Sequence, residues 1–388
     1  MTIESSLTSL FFVALVAAIV PIIVGLLPRV RIPQVVWLLI GGVLIGPQLL
    51  NAAHPDDIDL LSQVGLGFLF LLAGYEIDPK LIRDKVMGRA ALAWTVTVLV
   101  SLIVTGILEV VGLVSAFVPI AIGLTTTALG TILPIAKDAG VLSGPLAKPL
   151  LANGAAGEFL PIVAIALFLG SSGEFVALIT MAAFALLAVL VVNVPKHAVP
   201  KAVSDIIARG TESTYQTTLR WVVVLLVGLL VVAADLGLDA ILGAFVAGVV
   251  LRLSKPRDID VLEHKLDAIG YGFFIPIFFI SSGMNLDVDS IVENPLRLLL
   301  FFFLLLAVRG GSVYFMHFNL PRDQRRRLAL FSATALPLLV ALAEIGMETG
   351  NMHPENAAAL VGAGALSVLI FPFLALRGIE NEKAKVNA

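Results

Sequence analysis

Hydrophobic positions along this chain do not alternate with polar ones. They come in continuous runs separated by short polar stretches. The runs fall at roughly 7–27, 33–50, 61–77, 90–113, 115–139, 146–170, 173–195, 217–234, 239–254, 265–284, 296–318, 326–347 and 355–376, thirteen in all. A helix of about twenty apolar residues crosses the hydrocarbon core of a bilayer, whereas a barrel strand alternates over about ten. Inside lipid each backbone amide must find its partner within the protein, which leaves helices for runs of this kind. The pattern predicts an all-α membrane protein of about thirteen transmembrane helices.

The polar stretches alternate in sign. Arg29 and Arg31, then Lys80, Arg83, Lys85 and Arg89, then Lys137 and Lys148 occupy every second connection in the first half. Lys196, Lys201, Arg209 and Arg220, then Arg252, Lys255, Arg257 and Lys265, then Arg322, Arg325, Arg326 and Arg327 continue the series, and Arg377, Lys383 and Lys385 end it. The connections in between hold Asp56, Asp57, Asp59, Glu174, Asp235, Asp239, Asp287, Asp289, Glu348 and Glu355. Short cytoplasmic loops are enriched in Lys and Arg, so the N-terminus is expected outside and the C-terminus inside, in a cytoplasmic (inner) membrane of bacterial type. Residues 1–388 read as a single transmembrane unit: a first half over 7–195 that includes a linker helix, a cytoplasmic loop at 196–216, a second half over 217–376 and a cytoplasmic tail at 377–388. No soluble nucleotide-binding domain is expected.

Composition sharpens this picture. Of 388 residues 59% are hydrophobic and 14% charged, with mean hydropathy +1.02, far from the roughly 45–50% apolar and 25% charged of a soluble domain. The net charge of −3 and the lack of a dense basic stretch argue against a nucleic-acid partner. With no cysteine, disulfides and thiolate chemistry are excluded. Met1 to Ser9 lack a basic leader, so the first run reads as a retained helix. The five histidines, His54, His197, His264, His317 and His353, fall in loops or at span ends without metal-ligand spacing, and no metal site or cofactor is expected. Membrane lipid is the surrounding solvent.

Two runs share a string. The fifth holds Thr127-Ala128-Leu129 and the twelfth Thr334-Ala335-Leu336, at corresponding places of the two halves. Spans seven apart run in opposite directions, so this is an inverted-topology repeat. Thr125, Gly130 and Pro134 in the fifth, and Thr334 and Pro337 in the twelfth, predict two discontinuous helices that cross at mid-membrane. Gly and Pro weaken a helix, and hydroxyls can bond the freed backbone groups. The alternative is a pair of continuous, Pro-kinked helices. The glycine pairs Gly41-Gly42 and Gly310-Gly311, and Gly362 with Gly364, point to close helix packing.

An ionisable side chain deep in lipid costs roughly 2.5–3.5 kcal/mol on insertion scales and marks function by default. Glu158 in the sixth run and Arg309 in the eleventh are placed so. Glu158 is either a carboxylate shared by a proton and a small cation or half of a structural ion pair with Arg309. Arg309 reads as its electrostatic partner. Asn153, Thr126 and Thr127 carry oxygens suited to a dehydrated alkali cation, or serve as caps in distorted helices. Glu76 and Glu344, near span ends, read as anchors.

At these residues the chain resembles monovalent cation:proton antiporter family 2, bacterial sodium/proton and potassium-efflux antiporters, over nearly its whole length. Ile32-Pro33-Gln34-Val35-Val36 with Gly46-Pro47, Phe70-Leu71-Leu72-Ala73-Gly74-Tyr75-Glu76-Ile77-Asp78, and above all Phe274-Ile275-Pro276-Ile277-Phe278-Phe279-Ile280-Ser281-Ser282-Gly283-Met284-Asn285 carry the resemblance. It implies a core domain moving against a dimerisation domain, a homodimer, and Glu158 and Arg309 as the ion-site acid and its basic counterpart. The family's acid pair is Asp-Asp, Asn-Asp or Gln-Asp, where this chain has Gly157-Glu158. The expectation is exchange of a monovalent cation, Na⁺ before K⁺ or Li⁺, for protons, electroneutral and serving pH homeostasis. The alternatives are a non-coupling channel or regulatory subunit, or transport of an organic or anionic solute at Arg309. No enzymatic chemistry is expected.

Overall fold

The computed structural model describes residues 3–26, 32–76, 85–169, 179, 182, 186, 216–254 and 259–377. The expected seventh span apart from 179, 182 and 186, the 196–216 loop but for its last residue, and the tail beyond Arg377 lie outside the described residues, as do the loop charges at 27–31, 77–84 and 255–258. The apolar runs are helices: α1 Ile3–Leu26, α2 Gln34–Ile45, α3 Asp59–Glu76, α4 Lys85–Val110, α5 Phe117–Gly123, α6 Leu129–Asp138, α7 Ala147–Phe168, α8 Thr217–Asp235, α9 Ala240–Ser254, α10 Ile259–Ile269, α11 Ile275–Met284, α12 Val288–Glu293, α13 Pro295–Leu304, α14 Gly311–Met316, α15 Arg322–Ser332, α16 Pro337–Glu348 and α17 Pro354–Leu376. Among the described residues eight helical stretches are long and apolar enough to cross a membrane, and α2 and α9 are shorter apolar helices. No strand occurs among the described residues.

Two π-turns interrupt the regular pattern, Gly270–Phe274 between α10 and α11 and Leu305–Gly310 between α13 and α14. The first precedes Pro276, which has no N–H to offer the carbonyl four residues back. The second contains Arg309, and such widened turns re-aim a side chain and recur at functional sites.

The chain divides into two units. One comprises Met1–Ile23, Trp37–Pro79 and Ile165–Asn285, the other Val24–Val36, Lys80–Ala164 and Leu286–Ala388, so each draws on both halves of the sequence. Glycines bring the helices of the first unit into backbone contact. A Cβ at Gly74 would strike the carbonyl of Phe245 and one at Gly248 that of Leu71, which joins α3 to α9; Gly42 and Gly283 stand in the same reciprocal relation between α2 and α11. In a lipid solvent such close approach replaces the hydrophobic drive that holds soluble helices together.

The second unit repeats one succession twice: an unbroken helix, an interrupted one, an unbroken one. These are α4, α5/α6, α7 and then α13–α14, α15/α16, α17. The interruptions are real breaks, at 124–128 and 333–336. The first precedes Gly130 and Pro134, which lie inside α6, whereas Pro337 opens α16, where its missing N–H is one the helix start leaves unused anyway. The stretch Arg322–Glu348 has 89% of its apolar window buried, against 17% for Glu4–Leu26, so the second break lies in the protein interior.

Candidate ion-binding site

The crossing is held by a residue from each break bonding the other. Ala128 N–H donates to the Thr334 carbonyl at 2.8 Å, and Thr127 Oγ1 donates to the Ser332 carbonyl at 2.6 Å. The final carbonyl of α15, Ser332, which a helix end leaves unpaired, and the Thr334 carbonyl of the second break are thus taken by the break between α5 and α6. Thr127 N–H donates to the Gly157 carbonyl of α7 at 2.8 Å. That carbonyl is available because its regular helical partner would be residue 161, and Pro161 has no N–H.

The C-terminal ends of α5 and α15 are also capped by hydroxyls that follow them. Thr125 Oγ1 and Thr126 Oγ1 bond the carbonyls of Ile122 and Gly123, both at 2.7 Å, and Ser101 Oγ of α4 reaches the Ala121 carbonyl at 2.7 Å. Thr334 Oγ1 bonds the Leu330 carbonyl at 3.0 Å. The Ser367 hydroxyl of α17 accepts from Ala335 N–H at 3.0 Å and lies 2.9 and 2.7 Å from the carbonyls of Ala335 and Gly364, which share its single proton. Thr125, Thr126, Thr127 and Thr334 are all buried, and buried backbone groups without partners cost about 1–3 kcal/mol each.

Arg309 reaches this crossing from the π-turn and is fully buried. Its Nε donates to Thr127 Oγ1 at 3.1 Å, its Nη2 to the Asn153 carbonyl at 2.8 Å, and its Nη1 lies 3.5 Å from Thr97 Oγ1. These partners are neutral, and Glu158 is not among them. Room for the guanidinium comes from Gly157, where a Cβ would meet Arg309 Nη2 at 2.5 Å and Thr127 Oγ1 closer still.

Glu158 follows on α7 and is half-buried. Asn153, five residues earlier on α7, is buried. Its Nδ2 donates to the Pro149 carbonyl at 2.8 Å and lies 3.2 Å from His317 Nε2, while its Oδ1 has no partner among the described residues. Ser332 Oγ is orphaned in the same way.

Sequence reasoning named Thr125, Thr126, Thr127, Asn153, Thr334 and Arg309, and these come together here. It missed Ser101, Ser332 and Ser367, and it left His317 as one of five span-end histidines although the ring is only 2% exposed. A signal existed for α4: Thr97, Ser101 and Thr105 recur every fourth residue in an apolar run, and all three are fully buried, the spacing of one helix face.

Comparison with known proteins gives the family and the fold. The family description "Sodium/hydrogen exchanger, transmembrane" matches residues 14–376. The chain is 27% identical to a protein named putative Na⁺/H⁺ antiporter YjbQ of Bacillus subtilis, over 95% of this chain and 62% of that one. It is 25% identical to a probable Na⁺/H⁺ antiporter 3 of Methanocaldococcus jannaschii over 94% of both. It is 27% identical to a glutathione-regulated potassium-efflux system protein KefC of Salmonella heidelberg, over 97% of this chain and 61% of that one. The chain thus spans about three fifths of the length of the Bacillus and Salmonella relatives. In fold it is similar to the sodium proton antiporter MjNhaP1 of Methanocaldococcus jannaschii, with a TM-score of 0.62 at 18% identity over 96% of this chain and 97% of that one. A match over nearly the whole chain, on a fold of two crossed interrupted helices, settles membership: this chain belongs to the family of transmembrane sodium/hydrogen exchangers.

Proposed function

We propose that the chain is a secondary active antiporter that exchanges a monovalent cation, Na⁺ before K⁺ or Li⁺, for protons by alternating access. The observation that carries this reading is the crossing itself: two broken helices, hydrogen-bonded to each other, meet at α7 next to Glu158. A carboxylate there carries either a proton or a small cation, and competition between the two is the coupling. The hydroxyl protons of Thr126 and Thr127 are committed to carbonyls, and Thr127 Oγ1 also accepts from Arg309 Nε, which leaves both lone pairs of Thr126 Oγ1 and one of Thr127 Oγ1. With the Asn153 side-chain oxygen these make an acceptor set suited to a hard cation. Arg309 supplies fixed positive charge that does not change during the cycle. With one titrating acid the exchange is one for one and electroneutral. Three of the five N–H groups of Arg309 are turned to neutral partners within the fold, which favours a positioning role over that of a ligand for an anionic solute.

The protein acts as a carrier without a cofactor, in the cytoplasmic membrane of a bacterial-type cell, N-terminus out and C-terminus in, and as a homodimer. Proteoliposomes with an imposed pH gradient and a trapped pH dye test the reading. Sodium is expected to drive proton efflux that saturates and is indifferent to a valinomycin clamp. Glu158→Gln abolishes it and Glu158→Asp retains part. Undiminished flux in Glu158→Gln removes the proposed site, and non-saturating flux that follows voltage makes the protein a channel.

A further inference from the structure

At one end of the second unit the start of α4, the end of α14 and the start of α15 come together. Thr97 of α4 lies level with Arg309, Oγ1 to Nη1 at 3.5 Å. Arg89, earlier in α4, acts electrostatically on His317 just beyond α14. So α4 approaches this corner as its numbers fall and α14 as its numbers rise. Counted from a crossing at mid-membrane at 1.5 Å per residue, Arg89 stands about 12 Å off and Lys85 about 18 Å. The edge of a hydrocarbon core, about 15 Å from its middle, falls between them. Lys85, Arg89, Arg322 and Arg326 are exposed, and Arg325 is half-buried.

These five charges are not neutralised among the described residues. Asp323, in the first turn of α15, is turned to Arg327 at 2.8 Å, and no carboxylate pairs with the other five. In the first unit basic groups stand among acids instead: Arg252 lies over the Tyr75 ring at 5.1 Å, and Glu263 and Asp267 act on the adjoining Glu76. Arg325 also differs from a freely solvated arginine. Its Nε donates to the Tyr314 carbonyl at 3.0 Å and its guanidinium lies 4.1 Å over the Tyr314 ring. The fork is thereby fixed across the corner, with both Nη groups unused among the described residues. The Phe315 ring meets Tyr314 edge-on at 5.5 Å. Phe315 is 69% exposed and Phe318 75%. An oriented guanidinium fork takes phosphate oxygens in pairs, and exposed phenylalanines beside basic groups suit the boundary between headgroups and acyl chains.

We propose that this corner binds the headgroup of an anionic phospholipid. Arg325 receives the phosphate, Lys85, Arg89, Arg322 and Arg326 supply the surrounding positive field, and Phe315 and Phe318 lie along the acyl chains. A headgroup held there braces α14, which follows the Arg309 turn, against α15, which ends at the crossing. The site is independent of what the protein transports, and binding alone reads it out.

The test is native mass spectrometry of the purified protein in detergent, with equal amounts of phosphatidylglycerol and phosphatidylcholine of the same acyl chains. The wild type is expected to retain phosphatidylglycerol in preference. The double variant Arg322→Gln/Arg326→Gln alters side chains that make no bond among the described residues, so its fold is kept. It is expected to lose about five-fold in that preference per charge removed, the equivalent of about 1 kcal/mol for each basic group near an anionic surface. Arg325→Gln loses the largest share, and Arg325→Lys, which keeps the charge without the fork, recovers only part of it. Arg252→Gln, which removes a charge from the first unit, leaves the preference as it was. Equal retention of the two lipids, or an unchanged preference in the double variant and in Arg325→Gln, overturns the proposal. Full recovery in Arg325→Lys overturns the role given to the fork. Free glycerol 1-phosphate carries the same phosphate without acyl chains: phosphatidylglycerol is expected to stay bound in its presence, and ready displacement overturns the lipid assignment in favour of a soluble anion.

Discussion

Arg309 lies where a side chain at position 157 would begin: a Cβ on Gly157 would stand 2.5 Å from Nη2. The guanidinium and any larger residue at 157 therefore exclude one another. Gly157→Ala is expected to push Arg309 off the Asn153 carbonyl, at an overpacking cost of about 1–3 kcal/mol, read as a lower melting temperature in detergent together with a loss of exchange. A double-mutant cycle with Arg309→Lys checks the cause. Lysine lacks the fork that fills the space, so the two changes together are expected to cost less than their sum. Strict additivity would show that the contact is not what the alanine disturbs.

Pro161 acts at a distance of one helical turn. By withholding an N–H from the Gly157 carbonyl it leaves that oxygen for Thr127 N–H, bonded at 2.8 Å. Pro161→Ala restores the competitor. A carbonyl has two lone pairs, so the bond is shared rather than lost, and the expected weakening is about 1 kcal/mol or less. Hydrogen exchange at the Thr127 amide measures it directly: faster exchange there, with the helix amides of α7 unchanged or better protected, is the expected pattern.

How much of this was legible in the sequence follows from how local each feature is. The breaks were readable because Thr127-Ala128-Leu129 and Thr334-Ala335-Leu336 place hydroxyls and helix-weakening residues at matching points of two apolar runs. Their starts were not: the first opens before Gly130 and Pro134, since it is fixed by bonds from Thr127 and Ala128 to the second break, more than 200 residues away. Arg309 stood out as a lone cation in an apolar run. Its neutral partners did not, because charge rules favour pairing it with Glu158, and the vacancy at Gly157 is a tertiary fact. His317 was hidden for the same reason. Nothing near it in sequence indicates Asn153, 164 residues earlier.

Two hydroxyls of α4 make a contrasting pair. Ser101 Oγ bonds the Ala121 carbonyl at 2.7 Å, at the open end of α5, whereas Thr97 Oγ1 already donates to the Ala93 carbonyl at 2.8 Å and lies 3.5 Å from Arg309 Nη1. Ser101→Ala leaves a buried carbonyl without a partner, a loss of about 1–3 kcal/mol. Thr97→Ser keeps the hydroxyl and removes only a methyl group, and is expected to be milder. Thermal unfolding of the purified variants ranks them, and a Ser101→Ala variant as stable as wild type would mean that another group caps α5.

Thr127 concentrates the bonds of the crossing in one side chain: it donates to Ser332, accepts from Arg309, and its amide meets Gly157. Thr127→Val is nearly isosteric but has no hydroxyl, so it orphans the Ser332 carbonyl and one guanidinium N–H together, both among buried residues. Each unmet group costs about 1–3 kcal/mol, with the charged donor at the upper end. Thr127→Ser restores both bonds and loses only a methyl contact. If the hydroxyl is a structural clasp, the valine variant loses thermal stability and exchange in step, and serine recovers both. If the hydroxyl oxygen also binds the transported cation, serine recovers stability while the apparent affinity for sodium changes, since a freer rotor presents the oxygen less well. Measuring melting temperature and the half-saturating sodium concentration on the same preparations separates the clasp from the ligand, and a valine variant unchanged in both would remove Thr127 from the site altogether.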